Sequence, residues 1–164
     1  MTLPDTMKGV VLTGHGGLDK LVWRGDLPVP RPGSGEVLIR VAASTVNNTD
    51  VNTRTGWYSK SVRGDTTTGA SEGYAGSEDD DGGWSGALDF PRIRGADCCG
   101  EIVAVGDGVD TDRIGSRVLV RPMHRPTGAT DPLALATFGS ERDGGFAEYT
   151  TAPSGEALTV RSDL

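Results

Sequence analysis

The chain has 164 residues, enough for one domain at about 100–200 residues each, and 35% of them are apolar. Its 25 glycines, twice the ~7% of an average chain, and its nine prolines exclude a coiled coil or long-helix protein. No apolar run approaches the ~18 residues of a membrane helix, and a net charge of −7 argues against nucleic acid or an anionic membrane as main partner.

In chain order, the opening Met1-Thr2-Leu3-Pro4-Asp5 has neither a basic nor an apolar leader region. Residues 9–13 are short and β-branched, which predicts a strand. The turn residues Pro30 to Gly35 open a stronger strand over 36–43. One stretch predicts a helix of one or two turns, with Asn48 or Thr49 as N-cap, Asp50 in the first turn and Gly56 past the end. Residues 63–87 then carry net −5 and seven glycines, too little apolar surface to offset ordering entropy. They are expected to form a long loop, either a solvated insertion or a substrate lid anchored by Tyr74 and Trp84. Further strands are predicted over 99–106, 116–120, 146–150 and 157–160. Cys98 and Cys99, the only cysteines, are adjacent and give no disulfide framework, so a reducing, cytoplasmic compartment is expected. Short strands between Gly/Pro turns predict a mainly β barrel or sandwich. The two histidines, His15 and His124, are expected in loops or at the surface.

Four blocks then occur in a definite order. They are Gly35-Glu36-Val37-Leu38-Ile39-Arg40-Val41, Val46-Asn47-Asn48-Thr49-Asp50, Arg54-Thr55-Gly56-Trp57-Tyr58, and the run from Phe90 through Gly95-Ala96-Asp97 to Val109. With Ile114-Gly115-Ser116-Arg117-Val118 and Gly144-Gly145-Phe146-Ala147-Glu148-Tyr149, this series resembles the N-terminal part of the medium-chain dehydrogenases/reductases. The resemblance runs from Met7 to the end, apart from the acidic insertion and residues 122–142. It implies a GroES-like fold, a mainly β, partly open barrel with short helices, as one domain over residues 1–164. The family's zinc-dependent alcohol dehydrogenases place a Cys where this chain has Asn47 and a His where it has Ala96. They also carry a four-Cys lobe where residues 122–142 have no Cys. An amide and a methyl group cannot replace thiolate and imidazole on tetrahedral zinc. The resemblance therefore implies no metal site and the zinc-free branch, the quinone oxidoreductases and related enoyl reductases. Val46, Asn47, Asp50, Arg54, Gly56 and Tyr58 fit that branch, whereas Asn52 stands where many relatives have Tyr.

In that branch NAD(P)H delivers hydride to a quinone, enone or carbonyl. Without zinc, polarisation falls to hydrogen-bond donors placed where negative charge develops. Asn47 is expected beside nicotinamide and substrate, with Asn48 next to it on the cofactor side. Thr49 and Tyr58 would supply hydroxyl donors, and Asp50 would hold the loop or Arg54. The plainer alternative makes Asn48 and Thr49 caps, Asp50 a complement to the helix dipole and Tyr58 a packed ring. Gly95, Gly100, Gly106 and Gly108 are read as serving backbone geometry.

A dinucleotide fingerprint needs Gly-x-Gly-x-x-Gly between a strand and a helix. Gly14-His15-Gly16-Gly17 and Gly106-Asp107-Gly108 both lack the last glycine. A Rossmann cofactor domain, absent from this chain, is therefore the expected partner, in cis or in trans, beside a small-molecule substrate. The competing reading is a GroES-like binding module without catalysis. A GroES-type co-chaperonin fits less well, because the Asn47–Tyr58 block belongs to the reductases.

Overall fold

The computed structural model describes residues 2–63, 69, 71–74, 82–83, 86–126, 128–131 and 134–161. Most of the acidic insertion, including Trp84, lies outside the described residues, so the choice between solvated loop and lid falls there too.

Among the described residues, ten strands and one α-helix make a mainly β fold. Three strands form one sheet: β1 (Thr6–Leu12) lies between β2 (Leu21–Pro28) and β4 (Arg92–Ile93). Five strands form the second: β3 (Glu36–Ala43), β5 (Cys99–Val105), β6 (Arg117–Val120), β9 (Tyr149–Pro153) and β10 (Ala157–Thr159), in the order β10-β6-β5-β3-β9. All the pairings are antiparallel. A two-stranded ladder of β7 (Met123–His124) and β8 (Ala136–Thr137) stands apart from both sheets.

The main core follows from strand period. On β6, Val118 and Val120 point inward while Arg117 and Leu119 point out. They meet Val37 and Ile39 of β3, Ile102 of β5, Phe138 and Ala152. A satellite core of Met7, Val11 and Ile93 lies inside the smaller sheet, closed by Leu27 and Tyr149.

The strand predicted over 146–150 is displaced to β9, 149–153. Its first residues serve the other sheet instead. Val10 N–H donates to Phe146 O (2.8 Å) and Glu148 N–H to Lys8 O (3.0 Å), while Val41 N–H donates to Glu148 O (2.9 Å). Residues 146–148 thus form the seam that joins the two sheets. The first strand begins earlier than predicted, at Thr6. β2 went unpredicted because five consecutive residues, Val22 to Asp26, are exposed and show no alternation.

The helix α1 (Asn48–Thr55) has two turns, at the upper end of the one or two predicted, and ends at Gly56, whose φ of 74° is left-handed. Its N-cap is Asn47, not Asn48 or Thr49. His124 also departs from expectation: it is buried on β7. His15 is half-buried, with its Nδ1 2.6 Å from Thr53 O and its ring edge-to-face with Phe90. No helix among the described residues is long and apolar enough to cross a membrane.

Candidate functional site

The chain leaves β3 at Ala43 and turns into α1 within four residues, and that turn carries the predicted site. Asn47 caps the helix with its side-chain oxygen, which accepts from Thr49 N–H (3.3 Å). Asp50 answers by accepting the Asn47 N–H on Oδ2 (2.9 Å), which completes a capping box. The Asn47 amide nitrogen donates to Asp97 Oδ2 (3.3 Å), which also takes the Thr45 hydroxyl (2.8 Å). An amide NH2 carries two hydrogens, so this bond leaves a second donor on Asn47.

Asp50 is buried and turns its other oxygen, Oδ1, to the segment after β4. It accepts from Gly95 N–H and Ala96 N–H (3.1 Å each) and from Arg94 Nη2 (3.4 Å). Asp50 therefore holds that segment and not Arg54, whose Nη1 donates to Gly16 O (2.6 Å). Tyr58 follows α1 and swings its hydroxyl back to donate to Thr49 Oγ1 (3.2 Å). Its ring lies edge-to-face with Trp57, with centroids 5.5 Å apart.

A cavity of about 190 Å³ opens at this point. One wall is Asn47, Thr49 and Tyr58, and the other is Met123 and Thr137, from β7 and β8, with Ala96 and Pro122 between them. Three of the predicted residues thus share one small, largely apolar chamber with Thr137. Asp50 stands behind it as the tie. Asn48 is exposed at the first helical position and is not part of its lining.

Sequence reasoning missed Arg94, Asp97 and Thr137. Asp97 is adjacent to Ala96, and a charged residue between Ile93 and Gly95 was a visible anomaly at Arg94. Thr137 had no local signal, since only the fold brings β8 opposite α1. Burial lowers the pKa of Arg94 to about 10, with Asp50 opposing that shift, so it stays a cation at neutral pH. Burial likewise raises the Cys98 thiol to about 12. Cys98 and Cys99 line a separate cleft with Asp97, Leu119 and Val120, not the Asn47 chamber. Among the described residues no three His, Cys, Asp or Glu side chains converge as a metal cluster. The groups around Asn47 are an amide, hydroxyls and the Asp97 carboxylate, with no thiolate or imidazole among them.

Neither glycine run opens an α-helix among the described residues. Gly14 to Gly17 leads to a single 3-10 turn, Leu18–Lys20, and Gly106-Asp107-Gly108 precedes another, Thr111–Arg113. At Gly106 a Cβ would stand 1.8 Å from Gly33 O, so this glycine allows two loops to touch.

Comparison with known proteins places this architecture. The alcohol dehydrogenase GroES-like domain family matches residues 33–162. A mitochondrial NAD(P)H oxidoreductase, RTN4IP1 of Dictyostelium discoideum, is 36% identical over 113 residues, covering 68% of this chain and 26% of that protein. An alcohol dehydrogenase of Schizosaccharomyces pombe is 29% identical over 169 residues, covering 98% of this chain and 41% of that protein. A solved structure from Sinorhizobium meliloti, provisionally assigned as an alcohol dehydrogenase, is 43% identical with a TM-score of 0.77. It covers 99% of this chain and 42% of that one. The chain thus spans between a quarter and about two fifths of the length of these relatives.

Proposed function

We propose that this chain, which belongs to the alcohol dehydrogenase GroES-like domain family, forms the substrate-facing catalytic part of a zinc-independent NAD(P)H-dependent oxidoreductase. The acceptor class is a quinone, an enone or a simple carbonyl compound. The cofactor is held by a Rossmann domain supplied in cis or in trans. The observation that carries this reading is the chamber itself. It gathers Asn47, Thr49 and Tyr58 on one wall, together with Ala96; the family resemblance puts Asn47 and Ala96 at the positions of a thiolate and an imidazole in its zinc enzymes, which supports the zinc-independent reading.

The bound nicotinamide supplies the hydride. The chain's own residues do the rest. Hydride arrival leaves negative charge on the acceptor oxygen, and fixed N–H and O–H donors stabilise it most where water is excluded. The second Asn47 amide hydrogen is the first such donor. Its orientation is fixed on one side by the helix cap and on the other by Asp97. Tyr58 and Thr49 form a hydroxyl pair at the same wall, able to pass a proton along their 3.2 Å contact. Ala96, Pro122 and Met123 supply apolar surface against the body of the acceptor.

Substituting Asn47→Ala in the full-length protein tests this. The reading expects kcat/KM for an enone or quinone to fall about 100-fold, the scale of losing one such donor. An unchanged kcat/KM removes Asn47 from the mechanism.

A further inference from the structure

Arg94 is 1% exposed, and no side chain in the core is larger. It follows Ile93 of β4 directly. Burying a guanidinium is expensive, and a buried ion pair is often replaceable by apolar residues of similar volume without loss of stability. Packing alone therefore does not account for an arginine here.

Its bonds give a more specific account. Nη2 is shared between Thr49 O (3.1 Å) and Asp50 Oδ1 (3.4 Å). The same Oδ1 accepts Gly95 N–H and Ala96 N–H, while the other carboxylate oxygen holds the Asn47 N–H. One guanidinium and one carboxylate thus lock the first turn of α1 to the segment 94–96. Both sides of that lock face the chamber, through Thr49 and Ala96. Arg94 Nε and Nη1 make no hydrogen bond to any described residue, so three of its five N–H donors are left over. A side chain that served stability alone would be expected to satisfy them.

We propose that Arg94 is a positioning residue, which fixes Asn47 and Thr49 against the Ala96 side of the chamber through its bonds to Thr49 O and Asp50. This rests on reading the Asn47 chamber as the acceptor site.

The test uses the full-length protein carrying R94K, D50N or D50N/R94M. The double variant leaves no buried charge and keeps an amide oxygen for the Gly95 and Ala96 N–H groups, so it is the variant expected to fold. Relative to D50N, the double variant is expected to lose about 10- to 100-fold in kcat, the scale of a small misplacement of the reacting groups. Its melting temperature and its Kd for NAD(P)H should not move. R94K keeps the charge and should recover part of kcat. A double variant with the kcat of D50N overturns the proposal. If the wild-type protein turns over no NAD(P)H with any acceptor, the functional reading fails separately, and amide hydrogen exchange decides the positioning claim. Faster exchange at Asn47, Gly95 and Ala96 in D50N/R94M than in D50N, with Ile39 and Ile102 unchanged, upholds it. Equal exchange at those three amides overturns it.

Discussion

Asn47 serves two ends at once: its oxygen caps a helix and its nitrogen faces Asp97 at the wall of the chamber. The two uses separate experimentally. Asn47→Ser keeps a capping oxygen but withdraws the reach of the amide, whereas Asn47→Ala loses both. Thermal melts are expected to show Ala costing about 1 kcal/mol and Ser a small part of that, with kcat depressed in both. Equal kcat for Ser and wild type would confine Asn47 to its capping role. His124 offers a pH test at the same scale. Burial, with Arg142 adding to it, holds its pKa below 6.5. Above about pH 6.5 both folded and unfolded forms are neutral there. As pH falls below that value the unfolded chain takes up a proton that the folded protein refuses, so stability drops until the folded pKa is passed. Wild-type melting temperature should therefore fall more between about pH 7.5 and about pH 5 than that of His124→Gln. Parallel curves would contradict the assignment.

At the scale of elements, legibility followed local signals. The strand over 36–43 and the helix ending at Gly56 were readable because turn residues, β-branched runs and a left-handed glycine are local signals. The N-cap was misplaced by a residue or two, since Asn47, Asn48 and Thr49 are all good caps and only the Asp50 contact to Asn47 N–H selects among them. β2 was unreadable because its exposed residues carry no alternation, and its strand character comes from backbone pairing with β1. The displacement of β9 has the same origin: Phe146 to Glu148 look like strand, but two sheets share them. Of the candidate site, Asn47, Thr49 and Tyr58 could be named from the sequence. Arg94 and Thr137 could not, because their importance depends on contacts across the fold. Gly106 gives an element-level prediction. Adding a methyl group there meets the Gly33 backbone at 1.8 Å, so Gly106→Ala should destabilise by about 1–3 kcal/mol in denaturant unfolding. A neutral effect would mean the two loops do not hold that contact.

For the whole molecule, the two sheets meet at residues 146–148 and the helix turn sits at one end of β3, where the chamber opens. Close by, the outer face of the larger sheet presents Leu119 opposite Leu158, both about half exposed, with Cys99 paired to Leu119 on the neighbouring strand. The central claim is that hydride transfer here runs on fixed hydrogen-bond donors and not on zinc. Its most direct test is NAD(P)H oxidation by the full-length protein with quinone and enone acceptors after exhaustive treatment with a strong chelator. The account predicts that turnover survives chelation unchanged and that added zinc does not raise it. Turnover that vanishes with the chelator and returns with zinc would contradict it.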